Sequence, residues 1–345
     1  MLRLINKERC DGIYAVEPWA IYRNLAHVAD TLLTQVPANR FASFRFSWAM
    51  TSAVYRDWSW RSRWTKCIAR SLSSFLYHEE FAEWVGFLLQ PSILPYAQFN
   101  DRIWQRPLRG YLSRAWNGPR KLKVLQDSYR FANAHPGPVQ QALLQREFIT
   151  IARVPLGPDL GMVEFALGND QRFRREGEWA LQVNCPQLGG NVCTIAFSVE
   201  EINGQWVAYA GAIQGGAGAN EATIKATAKA MHGVRAKAMA IFALQEVVSA
   251  LGIQRLLGAG NTIQMSREKH LIAVPWNKIS FNYDGMWQEA DGQPAEDGWF
   301  ALPLREIRRT REEIKPNKRP LYARRYALFD QLSAAVMQSL SSVVK

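Results

Sequence analysis

Between Glu147 and Ile213 the chain repeats one pattern: a short run rich in Ile, Val, Phe and Trp, followed by a turn signal. The runs are Glu147–Val154, Leu160–Ala166, Trp179–Asn184, Cys193–Val199 and Trp206–Ile213. The breaks include Gly157-Pro158, Gly168-Asn169-Asp170, Gly189-Gly190-Asn191 and Asn203-Gly204. Runs of this length bounded by Gly, Asn and Pro predict an antiparallel meander. The Asn203-Gly204 pair is the strongest hairpin signal, because a two-residue hairpin turn needs positive φ at both positions. After Gly218 the apolar period lengthens. Asn220 is placed to cap a helix reaching about Met231, Gly233 interrupts it, and a second helix runs from about Ala236 to Leu251, where Gly252 ends it. Ile253–Leu257 then reads as a returning strand. Strands followed by helices and a returning strand predict an α+β fold, a mixed and mainly antiparallel sheet with helices packed on it.

The residues before the meander differ in character. Ala20–Gln35 has helical apolar spacing, and Ala42–Leu72 reads as a further helix. The latter carries Phe44, Phe46, Trp48, Tyr55, Trp58, Trp60 and Trp64 among Arg45, Arg56, Arg61, Arg63, Lys66 and Arg70. Glu79–Leu89 reads as a short apolar helix. Arg102–Arg130 is again aromatic and basic, with Trp104, Tyr111 and Trp116 and one acid, Asp127. The organisation expected is a helical, aromatic and basic N-terminal region (1–145), an α+β core (146–332) and a C-terminal helical tail (333–345).

Aromatics interleaved with arginine suit a phosphate-rich boundary between water and an apolar phase. They also suit single-stranded nucleic acid or, most simply, a helical core over which arginine stems lie. The net charge of +12 on 345 residues favours a polyanionic partner, either an anionic membrane surface or a phosphorylated ligand. Nucleic acid is the least favoured, since no recognised module accompanies the charge. No run approaches the length of a spanning helix, and Met1–Gly12 lacks the apolar segment of a signal peptide. A cytoplasmic protein, peripheral at the inner membrane, is therefore expected. Cys10, Cys67, Cys185 and Cys193 have no metal-ligand spacing, so buried free thiols and no metal are expected.

Three groups of residues carry candidate chemistry. In the glycine-rich stretch Gln214, Gly215, Gly216, Gly218 and Asn220, between a strand and a helix, backbone N–H groups either receive a phosphate or simply make a tight connection. No Walker-type Lys-Ser/Thr follows it. Arg235 and Lys237 open the next helix, where the dipole disfavours cations unless an anion is also bound. His270, Tyr283 and Asp284 offer a general acid or base, or a core histidine and a turn. Neither a Gly-x-Ser-x-Gly elbow nor a His-Glu-x-x-His run is present.

Two resemblances add expectations. The glycine-rich stretch loosely resembles the pyrophosphate loop of the GNAT acyltransferases, with its first required glycine replaced by Ala217. From about Gly211 to Leu332 the sequence resembles the VirK/YbjX family, a bacterial domain of unknown function. That likeness is carried by Ile213-Gln-Gly215, Ala226–Gly233, Arg235–Ala238, Phe242–Gln245, Leu251-Gly-Ile253, Phe281–Asp284, Trp287, Gly298–Phe300 and above all Lys318–Tyr326. It implies a role in envelope integrity, virulence and resistance to antimicrobial peptides, and assigns no catalytic residue. The leading expectation is a GNAT-like acyltransferase, with acyl-coenzyme A or an acyl-carrier pantetheine as donor and a peptide or envelope-related acceptor. The rival is a non-catalytic factor that docks on anionic lipid. The oligomeric state is left open.

Overall fold

The computed structural model describes residues 35–145, 147–157, 161–216, 221–265 and 281–341. The chain divides into two compact units, Met1–His78 and Glu79–Lys345. Residues 79–145 are thus grouped with the sheet, whereas the sequence had set them with the N-terminal region.

The described part of the first unit is a pair of helices, α1 (Arg40–Val54) and α2 (Trp60–Leu76). Asn39 caps α1, its side chain accepting from the Ala42 N–H at 2.9 Å. The helical stretch expected over Ala42–Leu72 is made of these two helices. The Tyr55 N–H still bonds to the Thr51 carbonyl, the Trp58 N–H to that of Tyr55, and Ser59 stands at the start of α2. No proline or glycine marks the break, so the apolar pattern reads straight through it.

The second unit opens with α3 (His78–Leu88, begun by the last residue of the first), α4 (Leu94–Phe99), α5 (Gly118–Ala134) and α6 (Pro138–Leu144). Then come β1 (Ile149–Gly157), β2 (Gly161–Gly168), β3 (Trp179–Cys185), β4 (Gly190–Ile202) and β5 (Gln205–Gly215). Helices α7 (Glu221–Ala230) and α8 (Ala236–Ala250) lead to β6 (Arg255–Ala259). They are followed by α9 (Tyr283–Glu289), β7 (Gln293–Pro294), β8 (Trp299–Leu302) and α10 (Arg319–Ser341). The strands form one sheet in the order β1-β2-β3-β4-β5-β6-β8-β7. Every pairing is antiparallel except β5–β6. The mainly antiparallel α+β architecture is as expected, and α10 runs unbroken across the boundary drawn at 332/333.

Local chemistry explains the turns. Asn203 (φ +52°) and Gly204 (φ +77°) are both left-handed, closing the β4–β5 hairpin with Ile202 opposite Gln205. Gly252 (φ +66°) ends α8. Packing then selects the core: α5 lies on β4, α8 on β3, β4 and β5, and α10 on β1 and α8. Trp84, Trp179, Trp287, Tyr96, Tyr111 and Tyr129 are among its fully buried side chains.

Two buried ionic groups tie α5 and the segment before it to the sheet. Glu178, just ahead of β3, lies 3.4 Å from Arg106 Nε, and both side chains are buried. Tyr129 donates its O–H to the same carboxylate at 2.5 Å, while Tyr111 and Ser198 share a 2.5 Å hydrogen bond beside it. Burial and the Glu178 charge push the Tyr129 phenol well above its ordinary range. In the second group, buried Glu200 accepts from Arg120 and, at 2.9 Å, from Tyr209, with the Lys123 ammonium at 3.3 Å. Arg106, Arg120 and Lys123 of the basic segment Arg102–Arg130 are thus spent on Glu178 and Glu200, far away in sequence.

Candidate functional site

The chemistry expected from sequence gathers in part at one end of β5. Gln214 and Gly215 pair with Thr194 and Cys193 and are exposed. The Gly216 N–H donates to the Val192 carbonyl at 3.1 Å, and a Cβ here would overlap the Asn191 carbonyl oxygen, so only glycine lets the chain leave the sheet at this point. Lys237, second residue of α8, holds its ammonium 3.2 Å from the Phe281 ring centroid. Burial lowers its pKa, opposed by nearby Cys193. Tyr283 is buried, packs edge-on against Phe281 at 4.9 Å and donates its O–H to the Ile213 carbonyl at 3.4 Å. Gln214–Gly216, Lys237 and Tyr283 therefore share this end of the sheet.

Arg235 and Asp284 serve elsewhere. Arg235 occupies the cap position of α8, is exposed, and has Glu289 at 3.8 Å. Asp284 accepts from the Asn261 N–H at 2.6 Å, while neighbouring Asn282 caps α9 through the Gly285 N–H at 3.1 Å. Gly218, Asn220 and His270 lie outside the described residues. Cys67, Cys185 and Cys193 are free and buried. Burial raises the Cys185 thiol to about 11 and the Cys193 thiol to about 12, which removes thiolate character at neutral pH. No cluster of metal-ligating side chains occurs among the described residues.

A different kind of site occupies the first unit. The buried residues of the pair are Ser43, Phe46, Ser47, Met50 and Thr51 from α1 and only Cys67, Ser71 and Ser74 from α2, and Trp48 meets Trp64 edge-on at 5.2 Å between the helices. Ser74 donates to the Ser43 carbonyl at 3.1 Å across the pair. Trp60, Trp64, Ile68, Leu72 and Leu76 follow one another at i, i+4 spacing as an outward ridge, each 50–65% exposed. Arg61 is exposed beside the ridge, its guanidinium 5.3 Å from the Trp60 ring centroid, while Arg63, Lys66 and Arg70 are half-buried, and 40–77 contains seven cations against one acid, Asp57. A soluble helix pair ordinarily turns its apolar stripe inward; α2 instead turns serine and cysteine inward and its apolar ridge outward. Sequence had signalled aromatics and arginine in both basic segments alike. In the second, Trp104 and Tyr111 are core residues. The distinguishing sign was the serine spacing at 71 and 74 opposite the Trp ridge.

The run Lys318–Tyr326 opens α10 beside the stretch 303–318, in which Ile314 is buried and Glu306 half-buried. Burial raises the Glu306 carboxyl there to about 7 against partial relief from Arg308. Between the ordinary value of 4.5 and about 7 the folded state holds a proton that the unfolded state has lost. Stability from this group is therefore full below pH 4.5 and falls as pH rises towards 7. Glu306→Gln is expected to flatten that fall in urea melts at pH 5 and pH 8.

The chain belongs to the family described as a protein of unknown function (DUF535), matched over residues 56–338, which is the VirK/YbjX family. An uncharacterized protein of Haemophilus influenzae is 26% identical over 233 residues, covering 67% of this chain and 75% of the relative. A second uncharacterized protein of that organism is 27% identical over 117 residues, 34% of this chain and 38% of the relative. No solved structure matches. No described helix is long and apolar enough to cross a membrane.

Proposed function

We propose that the chain docks on an anionic phospholipid surface, with α2 lying in the headgroup region. The observation that carries this reading is the ridge Trp60–Trp64–Ile68–Leu72–Leu76, outward on a helix whose inner face is serine and cysteine. Small residues between helices and apolar ones outside are the arrangement of helices that meet lipid. A helix with indoles and leucines on one face and cations beside it lies in the plane of the interface. Seven cations against one acid give the charge complement.

The test is sedimentation of the full chain with vesicles of phosphatidylcholine alone or with about one-third phosphatidylglycerol, judged against interfacial adsorption of this kind. Saturable, salt-weakened binding to the anionic vesicles is expected. Changing Arg61, exposed beside Trp60, to Gln should weaken it by about 1 kcal/mol, roughly fivefold, at about 1 kcal/mol per cation. Trp60→Ser with Trp64→Ser should also release the chain. A wild-type chain left in the supernatant at low salt would sink the reading.

A second reading has its own support. An acyltransferase-like activity with a GNAT-like arrangement draws on the parallel β5–β6 pair, joined through α7 and α8, and on Lys237 and Tyr283 at the end of β5. A saturable rise in melting temperature with acyl-coenzyme A, lost in Lys237→Ala, would favour it.

A further inference from the structure

The run Lys318–Tyr326 takes no part in either the α2 ridge or the glycine turn after β5. It lies within a stretch, Arg305–Arg325, that holds nine cations against Glu306, Glu312 and Glu313. The first turn of α10 has no acid, and Lys318 and Arg319 stand at its start. Cations at the positive end of a helix dipole are unfavourable in the absence of an anion.

Three segments meet here, and their contacts fix the guanidinium groups. In the turn between α7 and α8, His232 (φ +54°) and Gly233 (φ +80°) are consecutive left-handed residues. The Gly233 N–H bonds back to the Ala228 carbonyl at 2.7 Å. The His232 carbonyl accepts from Arg325 Nε at 3.3 Å and from one Nη at 3.0 Å. Arg325 also lies 4.5 Å from the Tyr322 ring centroid, and Arg309 lies 6.0 Å from it. Tyr326 accepts from the Arg309 N–H at 3.0 Å. Arg308 stacks on Tyr326 at 5.0 Å and is neutralised by Asp330 at 2.6 Å and Glu306 at 3.4 Å. Arg308 and Tyr326 therefore anchor the segment that presents Arg309. Arg324 and Arg325 both lie near enough to His232 to add to the burial that lowers its pKa. The acid facing Arg325 is Glu306.

We propose that His232, Arg309, Arg324 and Arg325 form a binding site for a phosphate monoester. A terminal phosphate presents three oxygens and close to two charges, which suits several guanidinium forks and an imidazole better than a singly charged diester does. Arg325 is held by its carbonyl and ring contacts before any ligand arrives, which reduces the ordering cost of binding. Flanking Arg311, Lys315 and Lys318 raise the local potential that steers an anion in.

The site is tested on the full chain at physiological salt by calorimetry, with proton NMR of the His232 ring. Glycerol 2-phosphate is expected to bind saturably, with a Kd of roughly millimolar order, and to raise the His232 pKa. Arg309→Gln with Arg324→Gln should weaken binding about tenfold or more, as loss of charge-assisted hydrogen bonds does. Arg305→Gln should leave it unchanged, and so should Trp60→Ser with Trp64→Ser, which separates this site from the α2 ridge. Short-chain phosphatidic acid, used as a monomer, distinguishes the sources: tighter binding than glycerol 2-phosphate assigns a lipid headgroup, and equal binding a soluble phosphate. The proposal is overturned if Arg305→Gln weakens binding as much as the double change. It is equally overturned if dimethyl phosphate binds as tightly, or if only a single-stranded oligonucleotide binds.

Discussion

Replacing Arg106 with alanine is expected to destabilise the second unit by about 3–5 kcal/mol, the usual cost of stripping one partner from a buried ion pair. The Glu178 carboxylate is fully buried, and Arg106 Nε at 3.4 Å is its charge partner. Arg106 also donates to the Arg174 carbonyl, so its loss frees a second acceptor. Tyr129 would remain on Glu178 at 2.5 Å, but a neutral phenol cannot balance a charge that water does not reach. Against a total stability of about 5–15 kcal/mol, this loss threatens folding itself. Arg106→Lys keeps the charge without the planar fork and should fall between. Urea unfolding followed by tryptophan fluorescence reads the series. A change below about 1 kcal/mol for Arg106→Ala would show that Glu178 is not held as described.

Gly211→Ala should produce the next largest loss, at least about 3 kcal/mol, at or beyond the top of the usual range for overpacking. In the β4–β5 ladder Ala196 pairs with Ala212 and Phe197 with Ala210, which leaves Gly211 as the extra residue of a bulge. A Cβ on Gly211 would overlap the carbonyl oxygen of Glu176 and press on Leu112. The first obstacle is main chain, and it belongs to the segment that carries Glu176 and Glu178, so relief would have to displace the buried ionic group. Gly215→Ala is the matched control, since nothing lies within 4 Å of its Cβ position. It should shift the urea midpoint little. Equal midpoints for the two variants would contradict the close crossing.

Much of the strand order was legible locally. Period-two runs located β1 to β5, Asn203-Gly204 set a hairpin turn, and Gly252 closed α8, because each depends on residues within a few positions of one another. The ends moved where the ladder decided them. β4 extends to Gly190–Ile202 because β3 and β5 supply partners on both sides, and the returning strand lies at Arg255–Ala259 rather than 253–257. The short strands β7 and β8 carry too few residues for a period to register.

The candidate site was legible only in part. Composition placed Lys237, Tyr283 and the glycine turn in view, and folding brought them to one end of β5. It also sent Arg235 to solvent and Asp284 to the Asn261 N–H, because cap geometry claims whichever polar groups lie nearest. By itself the sequence determined the meander, its turns, the α+β class and the cationic surplus, all of which follow from short-range periodicity or from counting. Only the tertiary structure decided which of two similar aromatic and basic segments is core and which is surface. Glu178 and Glu200 draw Arg106 and Arg120 inward from across the chain, whereas the serines and Cys67 on the inner face of α2 leave Trp60 and Trp64 exposed.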